Sequence, residues 1–222
     1  VDDRYIFMCS VMGTVKKTPL SDFSNPRKAG IIAVALDEGD TLVGVELTTG
    51  TNDIVMVSSA GKAVWFDEED VRPMGRTARG VRGMKLQPGQ TVISLLVAEN
   101  DQQTVLVATE NGYGKRTVLA DFRHSGRGTQ GVKAIADSER NGAVIGAKLV
   151  GDEDQIMLIT TGGVLIRSRV AEIRELGRAT QGVTLISLDS GDKLAGLEKI
   201  IETEGEIPGE DLEDAEGEGG EA

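Results

Sequence analysis

Thiols, imidazoles and aromatic rings are almost missing from this sequence. A single cysteine, Cys9, excludes an intrachain disulfide, and with one histidine, His124, there is no set of soft ligands for a structural zinc site. Cys9 falls in the apolar run Tyr5-Ile6-Phe7-Met8-Cys9, where a thiol behaves as a small hydrophobe, so a core position is expected for it. No stretch approaches the roughly 18 to 20 consecutive apolar residues of a membrane span. The opening Val1-Asp2-Asp3-Arg4 lacks the basic-then-apolar layout of a signal peptide, which makes the cytoplasm the expected compartment. Aromatic residues amount to 3%, so aliphatic side chains must fill the core.

What is present fits a soluble globular protein. Of the 222 residues 39% are hydrophobic and 27% charged, enough for one large domain or two small ones. The net charge of −12 is unevenly placed, because residues 202–222 hold ten acidic side chains and no basic one. Residues 1–201 keep 26 acidic against 24 basic side chains, so the low pI says little about what they bind. With five glycines and one proline, the acidic segment 202–222 cannot bury enough apolar surface to fold and is expected to be disordered.

Self-comparison reveals four copies of one plan: an apolar run, a glycine turn, a second run with basic residues, an Arg-x-x-x-Gly loop and a closing pair of runs. The turn glycines are Gly13, Gly61, Gly112 and Gly163; the loop glycines Gly30, Gly80, Gly131 and Gly182 follow at spacings of 50, 51 and 51 residues. The first loop, around Pro26, is two residues shorter than the others. Runs of four to six residues rich in Val, Ile and Leu, bounded by Gly, Asp or Asn, read as strands. The closing pairs 31–36 with 41–47, 81–86 with 91–97, and 183–188 with 193–197 are joined by Asp-Glu-Gly-Asp, Gln-Pro-Gly-Gln and Asp-Ser-Gly-Asp, and are expected to be hairpins. About four strands per period of roughly 50 residues indicate an all-β, propeller-like fold. The repeats span about 4–52, 53–103, 104–154 and 155–201, making residues 1–201 one partial propeller. Gly126-Arg127-Gly128-Thr129-Gln130-Gly131 matches a dinucleotide pattern, yet no helical segment follows and the sister loop lacks the middle glycine, so nucleotide binding is rejected there.

At Gly13-Thr14-Val15-Lys16-Lys17-Thr18-Pro19-Leu20, Asn111-Gly112-Tyr113-Gly114-Lys115-Arg116-Thr117 and Gly177-Arg178-Ala179-Thr180-Gln181-Gly182-Val183, the chain resembles the C-terminal domain of the bacterial DNA gyrase A protein. The resemblance extends from about Arg4 to Ile201. It implies a six-bladed β-pinwheel, of which this chain holds four consecutive blades, with strands exchanged between neighbours. It also implies a non-catalytic role: binding duplex DNA without sequence preference and wrapping it, within an ATP-dependent type IIA topoisomerase that introduces negative supercoils. ATP and Mg belong to that holoenzyme, an A2B2 assembly with the gyrase B protein, and no cofactor or metal is expected in this segment. The family's basic box, a Gln-Arg-Arg-Gly-Gly-type heptapeptide, has no counterpart here. The family's DNA-cleaving tyrosine lies elsewhere, so neither Tyr5 nor Tyr113 inherits its role. The equivalent domain of topoisomerase IV is one alternative; regular repeats and the acidic tail favour gyrase. A kelch-type protein-interaction propeller is the other, and its glycine pairs and aromatics are missing.

Wrapping requires cations spaced along a curved surface, because phosphate contacts give affinity and base edges give specificity. Arg76, Arg127 and Arg178 each lie four residues before a loop glycine, and Arg27 with Lys28 stands in for them in the shortened loop. A second basic row follows the turn glycines: Lys16 and Lys17, Lys115 and Arg116, then Arg167 and Arg169. The second repeat has Ala63-Val64-Trp65-Phe66 there and is expected to contribute through Arg76, Arg79 and Arg82. The plain role of the acidic tail is solubility; the sharper reading is that it mimics DNA charge and competes for these cations.

Overall fold

The computed structural model describes residues 3–201, so the expected disorder of 202–222 falls outside the described residues. The fold is built of four antiparallel sheets. In chain order the strands are β1 (Tyr5–Ser10), β2 (Thr14–Pro19), β3 (Leu42–Thr48), β4 (Asp53–Ser58), β5 (Lys62–Asp67), β6 (Val81–Arg82), β7 (Val92–Ala98) and β8 (Thr104–Thr109). They continue with β9 (Tyr113–Val118), β10 (Val132–Lys133), β11 (Val144–Val150), β12 (Gln155–Thr160), β13 (Leu165–Arg169), β14 (Val183–Thr184) and β15 (Leu194–Ile200). The sheets run β3-β1-β2-β6, β7-β4-β5-β10, β11-β8-β9-β14 and β15-β12-β13. Strands β3, β7, β11 and β15 lie side by side in that order and bring the four sheets together along their inner edges.

The second and third sheets are covered on both faces, which explains why their central strands read as unbroken apolar runs. In β4, Ile54 and Met56 pack with Phe7 and Cys9 of the first sheet, whereas Val55 and Val57 pack with Val105 and Val107 of the third. Leu106 and Ala108 turn the other way, onto Ile156 and Leu158. The period of two thus sends alternate side chains of one strand into two different cores. Cys9 is fully buried, and that burial, with the Asp40 carboxylate nearby, pushes its thiol pKa up to about 12.

The closing pairs are not hairpins. In the second, third and fourth repeats the segment after the loop glycine crosses to the preceding sheet and pairs with its outer strand: Val81 opposite Val15, Val132 opposite Ala63, and Val183 opposite Gly114. The physical reason is the bare edge of the outer strand, whose N–H and C=O groups need partners that the strand's own repeat cannot supply. The incoming chain also covers the same strand further along, where Met74, Ser125 and Leu176 donate backbone hydrogen bonds to the carbonyls of Lys17, Trp65 and Arg116. Strand exchange, implied by the family resemblance, is present at all three junctions. In the first repeat, residues 31–36 form no strand, and the fourth sheet has three strands among the described residues.

The loop glycines make the crossing possible. Gly80, Gly131 and Gly182 have φ of +109°, +75° and +81°. A Cβ on them would lie 2.3, 2.3 and 2.5 Å from the carbonyl oxygens of Val15, Ala63 and Gly114. Only glycine combines that backbone conformation with so close an approach to the neighbouring sheet.

Candidate functional site

The three Arg-x-x-x-Gly loops occupy equivalent places, each resting on the crossing segment of the repeat before it. Backbone bonds from Ala35, Lys85 and Ala136 to the carbonyls of Ala78, Thr129 and Thr180 fix this stacking. The arginines repeat the same geometry. The Nη1 of Arg76, Arg127 and Arg178 donates to the carbonyls of Ile32, Arg82 and Lys133, at 2.7, 3.0 and 3.2 Å, and each acceptor is the second residue after a loop glycine. The Nη1 bond therefore orients each side chain, joined in Arg127 by a second bond from Nε to the Asp70 carbonyl, while the group stays at the surface: Arg127 is exposed, and Arg76 and Arg178 are half-buried. Arg178 also lies 6.0 Å from the Phe122 ring centroid, a loose cation–π contact.

Other cations join this row. Arg27, Lys28, Arg79 and Arg82 are exposed in or beside the loops. Arg79 pairs with Asp37 at 2.7 Å, an open ion pair whose partner a phosphate can replace at little cost. A set that the sequence reading missed is Arg72, Arg123 and Arg174, all exposed, each four residues before a loop arginine and each following a buried residue, Val71, Phe122 or Ile173. Their 51-residue spacing was the available signal. The first repeat has Ser24 at this slot.

The second basic row is corrected by the structure. Lys16, Lys17, Lys115 and Arg116 are 1, 3, 0 and 8% exposed and cannot meet a phosphate on the surface. They lie on outer strands that the next repeat covers, and they fasten that repeat in place. Lys17 donates to the Glu68 carbonyl at 3.0 Å, with the Glu68 carboxylate 3.7 Å away, and Arg116 donates to the Ile173 carbonyl at 2.7 Å and meets Asp152. Trp65 fills the same slot in the second repeat and packs edge-on against His124, centroids 4.8 Å apart. Arg167 and Arg169 remain exposed because β13 has no covering strand among the described residues. The two tyrosines are packing partners: Tyr5 lies against Lys17 and Tyr113 against Arg140.

Sheets that lend strands across their junctions, with aligned inner edges and a cationic loop at each junction, define a strand-exchanged β-propeller presenting a periodic basic row. The chain belongs to the DNA gyrase C-terminal domain, beta-propeller family, whose model matches residues 4–49, 52–99, 103–150 and 154–200. It is 52% identical over 214 residues to the DNA gyrase A protein of Pseudomonas aeruginosa, covering 96% of this chain and 23% of that protein. Identity to the DNA gyrase A protein of Escherichia coli K12 is 46% over 212 residues, covering 96% and 24%. The chain thus spans about a quarter of the length of these relatives. A solved DNA gyrase A C-terminal domain superposes with a TM-score of 0.81 at 28% identity, over 90% of this chain and 67% of that one. The C-terminal domain of DNA topoisomerase IV gives 0.85 at 28%, over 89% and 62%. Membership of this family removes the kelch-type reading. Among the described residues no helix is long and apolar enough to cross a membrane.

Proposed function

We propose that this chain binds duplex DNA without reading its sequence and wraps it, as the non-catalytic part of a gyrase A protein. The observation that carries the reading is the arginine fixed at one slot in three successive repeats, held by the same backbone bond each time. Arg72, Arg123 and Arg174 at a second slot, with Arg27, Lys28, Arg79 and Arg82 beside them, extend the track. Guanidinium groups on a rigid scaffold suit phosphate oxygens, and spacing them by whole repeats suits a backbone that repeats its charge. Among the described residues the helices are short turns of three or four residues, too short to serve as a recognition helix in a groove, in keeping with backbone binding.

Within the whole protein this segment would guide DNA into a path that lets strand passage introduce negative supercoils, with ATP and Mg handled by other parts of an A2B2 assembly with the gyrase B protein. That work belongs in the cytoplasm, with the chromosome. The test is binding of random-sequence duplex at about 50 and 200 mM salt. Six phosphate contacts lower the affinity roughly 10³-fold over that range. A folded chain that fails to bind at about 50 mM refutes the proposal.

A further inference from the structure

Two of the buried cations excluded from the surface have partners that point to a different task. The Lys16 ammonium reaches the following repeat, where the carbonyl oxygens of Gly75 and Arg76 lie at 3.1 and 2.6 Å and that of Ala78 at 3.2 Å; its fourth neighbour is the Ala33 carbonyl at 2.6 Å. About two periods further along, Lys115 repeats the arrangement, its ammonium donating to the carbonyls of Gly177 and Arg178. Gly75-Arg76 and Gly177-Arg178 are equivalent steps, each leading into an Arg-x-x-x-Gly loop. Among the described residues neither ammonium is set against a carboxylate; carbonyl oxygens offset its loss of water, an arrangement that needs several well-aimed acceptors.

The remaining junction supplies an internal contrast. The residue equivalent to Lys16 and Lys115 in the second repeat is Val64, which is buried and cannot tie the loop of Arg127. There the guanidinium holds itself with two bonds, Nε to the Asp70 carbonyl at 2.8 Å and Nη1 to the Arg82 carbonyl. Where a lysine grips the loop from below, Arg76 and Arg178 each show a single such bond, to Ile32 and Lys133.

We infer that Lys16 and Lys115 are positioning residues: each ammonium ties the start of the next repeat's arginine loop and so fixes where Arg76 and Arg178 present their guanidinium groups. The inference builds on the DNA-binding reading but has a readout independent of it. Lysine at this position acts through the loop, so its loss disorders the cation without subtracting a phosphate contact. Loss of the arginine subtracts the contact itself.

The experiment uses the full chain with Lys16→Met, Lys115→Met and Arg178→Ala. Amide hydrogen exchange is read at Ala78 and Thr180, whose N–H groups close the two tied loops onto Gly75 and Gly177, and at Gly128 in the untied loop. Lys115→Met should speed exchange at Thr180 at least about tenfold and leave Gly128 unchanged, and Lys16→Met should do the same at Ala78. With random-sequence duplex, Lys115→Met should lower affinity several-fold with an unchanged salt slope, whereas Arg178→Ala should flatten the slope by about 0.9. Unchanged protection at Thr180 in a folded Lys115→Met chain overturns the tie. A slope flattened by Lys115→Met overturns positioning in favour of direct contact. If Lys115→Met does not fold, Lys115→Gln, with a shorter neutral donor, carries the same measurements. A wild-type chain that binds no DNA defeats the functional reading, and the exchange data then judge the tie alone.

Discussion

Removing the three loop arginines together is the sharpest probe of the basic track. Arg76 and Arg178 use one donor on a backbone carbonyl and Arg127 uses two, and all three keep their charge at the surface, so each can neutralise one phosphate. A contact released with its counterion contributes about 0.9 to the slope of log affinity against log salt, so the triple change to Ala should flatten the slope by about 2.7. Between about 50 and 200 mM salt, a contact of this kind is worth roughly a 3.5-fold change in affinity. The wild-type chain should therefore lose on the order of 40-fold more affinity across that interval than the triple variant. Replacing the same three residues with Lys separates charge from architecture: lysine keeps the counterion count but not the planar fork that bonds Ile32, Arg82 and Lys133. Fluorescence anisotropy with a labelled random-sequence duplex, over a series of salt concentrations, gives all three slopes. Identical slopes for wild type and the Ala variant, with both chains folded, would falsify the claim that these arginines meet phosphates.

Gly131→Ala places a Cβ 2.3 Å from the Ala63 carbonyl oxygen at a φ of +75°, and should cost roughly 2 to 4 kcal/mol in denaturant unfolding. Gly89→Ala, at a φ of +78° with no atom within 4 Å, should cost only about 1 kcal/mol, and equal losses would refute the close-approach argument. Burial, then the nearby Arg178 charge, lowers the pKa of Lys115 from 10.5 to about 8. Between those values the unfolded chain holds the proton more tightly than the folded one, so this group should raise stability as pH increases from about 8 to 10.5, by at most about 3 kcal/mol. Lys115→Met should remove that rise in pH-dependent urea melts. Deleting residues 202–222, with their ten acidic side chains, should tighten DNA binding at low salt; unchanged affinity would mean that the tail does not compete for the basic track.

The period was legible because it rests on two local signals, apolar runs and glycines at fixed spacing, that survive without knowledge of the partners. Which sheet a strand joins is a different kind of fact. Nothing in Val81 or Val132 says that it pairs with the repeat before its own, since the same β-branched residues suit a hairpin equally well. The lysines misled for a related reason. Lys16 and Lys17 point to opposite faces of β2, and a sequence reading gives at least one of them to solvent, yet both are buried because the next repeat closes over the strand. Carbonyl acceptors leave no mark in the sequence, so a lysine seated among them looks like one destined for the surface. Arg72, Arg123 and Arg174 were readable from spacing alone and were hidden by attention to the glycine loop.

Strand lending changes what counts as a unit of inheritance. Wherever the chain is cut between β4 and β7 a sheet is severed, but the donor strand always comes from the repeat after the acceptor's, at the same slot each time. Gain or loss of any stretch of whole-period length, wherever its ends fall, returns every outer strand that a following repeat covers a partner of the right kind. Arrays of this design can thus lengthen or shorten by recombination without baring a further edge, and the number of cations offered to a polyanion would change in step.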